Sequence, residues 1–228
     1  MSVVSRHVNV SELLRVGGRS VVVQRVRVRL RPLDLRSASP AMTPNPISGS
    51  AAVNDDGVFS ITSVLSGQDN AVGNVAPGSY QVDVAGLPPD VYVASVRYAA
   101  REVRDSGFQV DGEPSGPLEI TLAEPGGRVD GVVLGRDEKP APHSIVVLLP
   151  AVTDRQQSDL FRATSADQKG AFTVRGIPPG RYGMLALTDI ESGVIRSSDF
   201  LREFEPRTEK VTISEGSSIK VNLRLISR

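Results

Sequence analysis

Twice along this 228-residue chain the sequence writes Pro-Gly, one residue, Tyr and then an apolar alternation: "PGSYQVDV" from Pro77 and "PGRYGMLAL" from Pro179. Upstream of each copy stands a second matched stretch, "NDDGVFSI" (Asn54–Ile61) and "DQKGAFTV" (Asp167–Val174). An Asp-rich segment ending in Gly is a turn signal, because Gly takes positive φ freely and Asp or Asn bonds the neighbouring backbone. Pro has no N–H for a ladder, so Pro178 and Pro179 end the strand that precedes them. Gly180 is expected to allow the reversal that follows. Tyr182, Met184 and Ala186 then share one side of the next strand, as do Tyr80, Val82 and Val84 in the first copy. The doubled unit therefore reads strand, turn, strand, Pro-Gly turn, strand. The first copy carries an added loop, "SVLSGQDNAVG".

The flanking segments follow the same two-residue period. "LEITL" puts Leu118, Ile120 and Leu122 on one face, and "IKVNLRL" does so with Ile219, Val221, Leu223 and Leu225. "RVDGVVL", "SIVVLL" and "VYVASVRY" are strand-like by their β-branched content. Turn signals recur at the spacing of an all-β sandwich. Helical periodicity is confined to "SELLRV" and to "SDFLREF" (Ser198–Phe204). Pro125-Gly126-Gly127 marks a boundary between repeat copies, so the expected domains are 1–125 and 126–228.

Composition excludes several classes. Lys plus Arg equals Asp plus Glu, 26 each, unlike the basic balance of a general nucleic-acid binder. There is no Cys, so neither disulfides nor thiolate chemistry are available. The longest apolar run, Ile145–Leu149, is far short of the ~20 residues of a spanning helix. The opening residues lack the basic and apolar regions of a signal peptide.

The second half, with Gly131, Asp137, Pro140, Asp167, Gly170, Phe172, Pro178, Pro179, Gly180 and Tyr182, resembles the carboxypeptidase regulatory-like domain, a transthyretin-like (prealbumin-like) sandwich. Lys139 stands where that family's pattern has Gly. From Val26 onward the first half resembles the same family's bacterial extracytoplasmic members. The resemblance implies an all-β chain of two tandem seven-stranded Greek-key sandwiches. It also implies a non-catalytic accessory role outside the cytoplasm, in the periplasm, at the cell surface or secreted. A protein or glycan at the cell envelope is the implied partner, with no cofactor.

Candidate chemistry is sparse. His7 and His143 lie in different halves with no Cys, a poor metal set. His143 and Ser144 are adjacent, so on a strand they face opposite ways and cannot form a nucleophile–base pair. "NDDG" and "DQKG" lack the alternating carboxylates of a calcium loop. The first Lys of the chain is Lys139, in a loop, so no strand Lys is placed to cross-link either half. An enzyme built on scattered carboxylates ranks last, because no acid pair stands out from the turn Asp residues.

Two features suggest binding. Tyr92 and Tyr98 share a strand face by even spacing, a small platform on which a sugar ring could stack in a carbohydrate-binding module. In "QRVRVRLR", Arg25, Arg27, Arg29 and Arg31 alternate with Val26, Val28 and Leu30. Residues 1–36 hold eight Arg against Glu12 and Asp34, whereas 37–127 hold three Arg against eleven acids. The stripe reads first as a solvated face or a charge-protected edge strand. Its sharper reading is an anion-binding face for an acidic glycan, a phosphate or a partner.

Overall fold

The computed structural model describes residues 8–9, 26–33, 50–52, 58–59, 63–64, 72–73, 78–111, 116–151, 161–188 and 204–226. The turn Asn54–Gly57, Arg25 and His7 lie outside them, as do "SELLRV" and most of Ser198–Phe204. The side chain of Phe59 is likewise not described. Among the described residues, every regular element is a strand except a 3-10 turn at Glu205–Arg207. Contacts divide the chain into two compact units, 1–88 with 93–123 and 124–228 with 89–92. Among the described residues no helix is long and apolar enough to cross a membrane.

The strands of the first unit are β1 (Val8–Asn9), β2 (Arg27–Pro32), β3 (Ser50–Ala52), β4 (Val58–Phe59), β5 (Ser63–Val64), β6 (Val72–Gly73), β7 (Gly78–Ala85), β8 (Tyr92–Tyr98), β9 (Arg101–Glu102), β10 (Phe108–Val110) and β11 (Leu118–Ala123). They form a four-stranded sheet ordered β10-β7-β2-β3, a three-stranded sheet ordered β11-β8-β9, and the pairs β1–β4 and β5–β6. In β2, Val28 and Leu30 are buried between exposed Arg27 and Arg29, and in β11 Leu118, Ile120 and Leu122 alternate inward. Aromatic rings join the two larger sheets. Phe108 lies 4.5 Å from Tyr98 of β8 and 6.3 Å from Tyr80 of β7, centroid to centroid.

The second unit adds β12 (Gly127–Leu134), β13 (Ile145–Pro150), β14 (Arg162–Ser165), β15 (Ala171–Ile177), β16 (Gly180–Leu187), β17 (Glu209–Ile213) and β18 (Ser218–Ile226). These seven strands form one continuous hydrogen-bonded path, β14-β13-β16-β18-β12-β15, with β17 alongside β16. One layer is β15, β12 and β18, where β12 and β18 run parallel over seven residue pairs. The other is β14, β13, β16 and β17. A short parallel pairing, Ala186 with Leu225 and Leu187 with Ile226, stitches the layers together.

The repeated motifs explain how the chain passes between layers. Asp167 Oδ1 accepts the N–H groups of Lys169 and Ala171 at 2.8 and 2.9 Å, and Gly170 takes φ 71°. That turn hands the chain from β14 to β15, which belong to different layers, so it is no simple hairpin. Two residues past Gly170, Phe172 sits opposite Gly131 in register. A Cβ on Gly131 would lie 1.8 Å from the Val221 carbonyl oxygen and 2.6 Å from Phe172 Cζ. Gly131 and Phe172 are thus one packing contact. Asp137 makes a weaker version of the Asp167 cap, with Lys139 N–H at 3.3 Å. The positive φ in that turn belongs to Glu138, at 61°, so Lys139 occupies its glycine-like position without requiring Gly.

Pro178 and Pro179 are likewise a crossing, since β15 and β16 are not paired. Gly180 is not the reversing residue expected of it: it is the first residue of β16, as Gly78 is the first of β7. The ring two residues on lies over it in both copies. A Cβ on Gly180 would be 3.3 Å from Tyr182 Cε2, and one on Gly78 would be 3.6 Å from Tyr80 Cε2. The two copies therefore share the same ring-over-glycine packing. The Tyr182 hydroxyl donates to the Pro178 carbonyl at 2.9 Å and ties the strand back to the crossing.

The main core lies between the layers, with Val129, Val133, Phe172 and Leu223 facing Leu148, Tyr182, Met184 and Ile213. A second cluster covers the opposite face of β13 and β16: Val147, Leu149, Leu185 and Leu187 pack with Phe161, Phe204 and Ile226. Each such side chain removed from water contributes on the order of 2 kcal/mol. The segment 89–92 packs in this unit as well. Asp90 accepts a two-point ion pair from Arg175 (3.0 and 2.6 Å), and its carbonyl accepts the Gly126 N–H at 2.7 Å.

Gly131→Ala is expected to cost about 3 kcal/mol or more, because backbone rather than a movable side chain opposes the new methyl. Tyr182→Phe should cost about 1–2 kcal/mol by orphaning a buried carbonyl. Denaturant unfolding followed by circular dichroism measures both; a Gly131→Ala protein as stable as wild type would refute the packing.

Candidate functional site

The residue types expected for chemistry are occupied by structural work. Ser144 is buried, and its hydroxyl donates to the Ala141 carbonyl at 2.7 Å. His143 is exposed at φ 59°. Asp137 and Asp167 cap turns. Among the described residues no cluster of His, Cys, Asp or Glu could hold a metal ion.

Tyr92 and Tyr98 do not form the platform expected of them. They are only 7% and 9% exposed, and the Tyr98 ring stacks on Phe108. Even spacing does not decide exposure: Ala94, between them at the same parity, is exposed while both rings are buried. The sequence shows the alternation without saying which side is wet.

The arginine stripe is placed differently. Of the four, Arg25 lies outside the described residues. Arg27 and Arg29 are exposed on the outer face of β2, and Arg31 is half-buried beside them. The edge-strand reading is corrected: β2 is an interior strand, paired with β3 on one side and β7 on the other. Register defines the neighbours. Arg27 lies between Ala52 and Ala85, Arg29 between Ser50 and Asp83, and Arg31 opposite Gln81. Arg31 hydrogen-bonds the Gln81 side-chain oxygen, and its Nε lies 3.5 Å from Asp83 Oδ2. Gln81 is only 2% exposed although it faces outward, and its amide donates to the Arg104 carbonyl at 3.4 Å. So at one end of the outer face Arg31, Gln81, Asp83 and the Arg104 carbonyl form a polar cluster, while Arg27 and Arg29 at the other are exposed. Among the described residues neither Arg27 nor Arg29 makes an ion pair.

The outer face of the second unit is organised by a different pair. Arg128 Nε and Nη2 donate to Asp130 at 2.7 and 2.8 Å, and the Thr173 hydroxyl donates to the same carboxylate at 2.7 Å. The hydrogen bond from Arg128, then that from Thr173, hold the Asp130 carboxyl below the usual carboxylate range. Inside the first unit, burial pushes the Tyr80 hydroxyl above its usual value, so it stays protonated.

These features define an all-β chain of two units, with Arg27 and Arg29 exposed on the outer face of β2 among the described residues. No protein-family model matches the chain, and no curated protein matches it. Among solved structures, it is similar to the minor pilin GBS52 of Streptococcus agalactiae, at 16% identity over 93% of this chain and 87% of that one, TM-score 0.35. It is also similar to the shaft pilin SpaA of Lactobacillus rhamnosus GG, at 11% identity over 88% of this chain and 87% of that one, TM-score 0.30. The Bacillus anthracis TIE protein shares 14% identity over 91% of this chain, TM-score 0.31, and this chain spans 31% of its length. Likenesses this distant say nothing about individual residues.

Arg27→Ala and Arg29→Ala should each leave stability within about 0.5 kcal/mol, whereas Val28→Ala between them should cost about 2 kcal/mol. Equal losses at all three positions would contradict the outward placement. For Asp130, a lowered carboxyl value means its contribution is present above the ordinary carboxylate range and is lost as pH falls through the folded value. The melting-temperature gap between wild type and Asp130→Asn should therefore be small at neutral pH, because the pair is exposed, and should shrink as pH falls below the ordinary carboxylate range. A gap that widens in acid would refute it.

Proposed function

We propose that the chain is a non-catalytic structural and interaction module of a bacterial cell-envelope or secreted protein, built from two tandem transthyretin-like sandwiches of the carboxypeptidase regulatory-like type. One observation carries the reading. In the second unit the polar and glycine positions of the family pattern are used up in making the layers: Asp137 and Asp167 cap turns, Gly131 receives Phe172, and Tyr182 bonds Pro178. A motif consumed by its own fold leaves its face free to serve as a scaffold, not a reaction centre. The extracytoplasmic location follows from the family resemblance. The carbohydrate-binding alternative loses its aromatic support with the burial of Tyr92 and Tyr98.

Two measurements test the proposal. In the source bacterium, the full-length gene product should be digested by protease added outside the inner membrane; recovery only from the cytosol would overturn the location. The purified chain should show no turnover on peptide, ester and glycoside substrates. Turnover that Asp167→Asn abolishes while the protein stays folded would overturn the non-catalytic reading.

A further inference from the structure

We propose that the Arg27–Arg29 end of the outer face of β2 is a docking site for an extended acidic peptide segment, whose alternate carboxylates pair with Arg27 and Arg29. The inference deepens the reading of the chain as an interaction module by naming the partner's chemistry.

Three observations lead to it. First, a solvated charged strand normally finds opposite charge across its neighbours, which is how sheet faces gain stability. Arg27 has Ala on both sides, and Arg29 has Ser50 on one side and Asp83 on the other. The Asp83 carboxylate leans toward Arg31. Second, Arg27 and Arg29 are both exposed, and the register neighbours of Arg27 are the small residues Ala52 and Ala85. Third, the described strand positions on this face hold three Arg, at 27, 29 and 31, against one acid, Asp83. The local charge is thus positive in a chain whose formal net charge is zero.

The geometry selects the ligand. Residues two apart on a strand are about 6.8 Å apart, and alternate residues of any extended peptide repeat at that same distance. A peptide laid along β2 with Asp or Glu at alternate positions matches Arg27 and Arg29 one to one. The planar fork of Arg suits a carboxylate by two parallel hydrogen bonds, which a Lys would not provide. Residues between the acids would face away from the sheet or rest on Ala52 and Ala85.

The test uses the full chain and two synthetic peptides of identical composition, one alternating Glu and Thr, the other with all Glu in one block. Fluorescence anisotropy at about 50 mM salt, where screening is weak, should show tighter binding of the alternating peptide. Arg27→Ser/Arg29→Ser should weaken it by about tenfold or more with the melting temperature unchanged. Arg27→Lys/Arg29→Lys keeps the charge and removes the fork, so it should fall between wild type and the Ser variant, and it decides the matter if the Ser variant does not fold. Absence of binding, equal affinity for both peptides, or binding indifferent to the substitutions would each overturn the proposal. Tighter binding of a polyuronate oligosaccharide than of the alternating peptide would overturn it in favour of an acidic glycan. Titration in solution is independent of where the protein resides, so this inference and the envelope assignment can fail separately.

Discussion

Phe172 resting on the bare backbone of Gly131 is the contact on which the second unit depends. Gly131 has the β18 carbonyl of Val221 on one side and an aromatic ring on the other, so no side chain can stand there. This close approach lets β12 run parallel to β18 while β15 pairs on its far side. The ring replaces the missing side chain and restores the apolar area that a strand glycine forfeits. Asp167 and Gly170 exist to deliver Phe172 to that spot. Their turn is short, its bonds are local, and the aromatic follows at a fixed offset.

The Pro-Gly-x-Tyr element has a parallel logic. The prolines withdraw the chain from one ladder, and the tyrosine ring lies over the glycine that opens the next strand. In the second unit its hydroxyl also returns to the crossing. Local sequence thus performs a tertiary task, moving a strand between layers within a few residues. That the first unit repeats the ring-over-glycine contact at Gly78 and Tyr80 makes the repeat a physical one, not only a similarity of letters.

Where local sequence was silent, the structure departed from the simplest pattern. The run Ile145–Pro150 has no alternation to reveal a wet face, and it has none: β13 and β16 are buried on both sides, the second time under Phe161 and Phe204. Those two phenylalanines sit in connections, outside any strand period, so periodicity could not assign them to a core. The arginine stripe was legible as a stripe, and its outward orientation with it. Its position inside the sheet was not, because strand order depends on pairings between β2, β3 and β7 that lie far apart in sequence. The same gap misdirected the tyrosines: their even spacing is visible in the letters, but their burial depends on what remote segments bring.

The amino-acid sequence by itself determined the β character of the chain and, in the second unit, the Asp167–Gly170 turn and the residues that close it. All of these rest on interactions within a few residues, where side-chain chemistry and backbone sterics act directly. Only the tertiary structure decided which strands are neighbours, which of two alternating faces is dry, and which arginines stand exposed on the outer face of β2. Those outcomes depend on contacts between residues tens of positions apart, whose free energy is set by the surface that remote segments jointly remove from water.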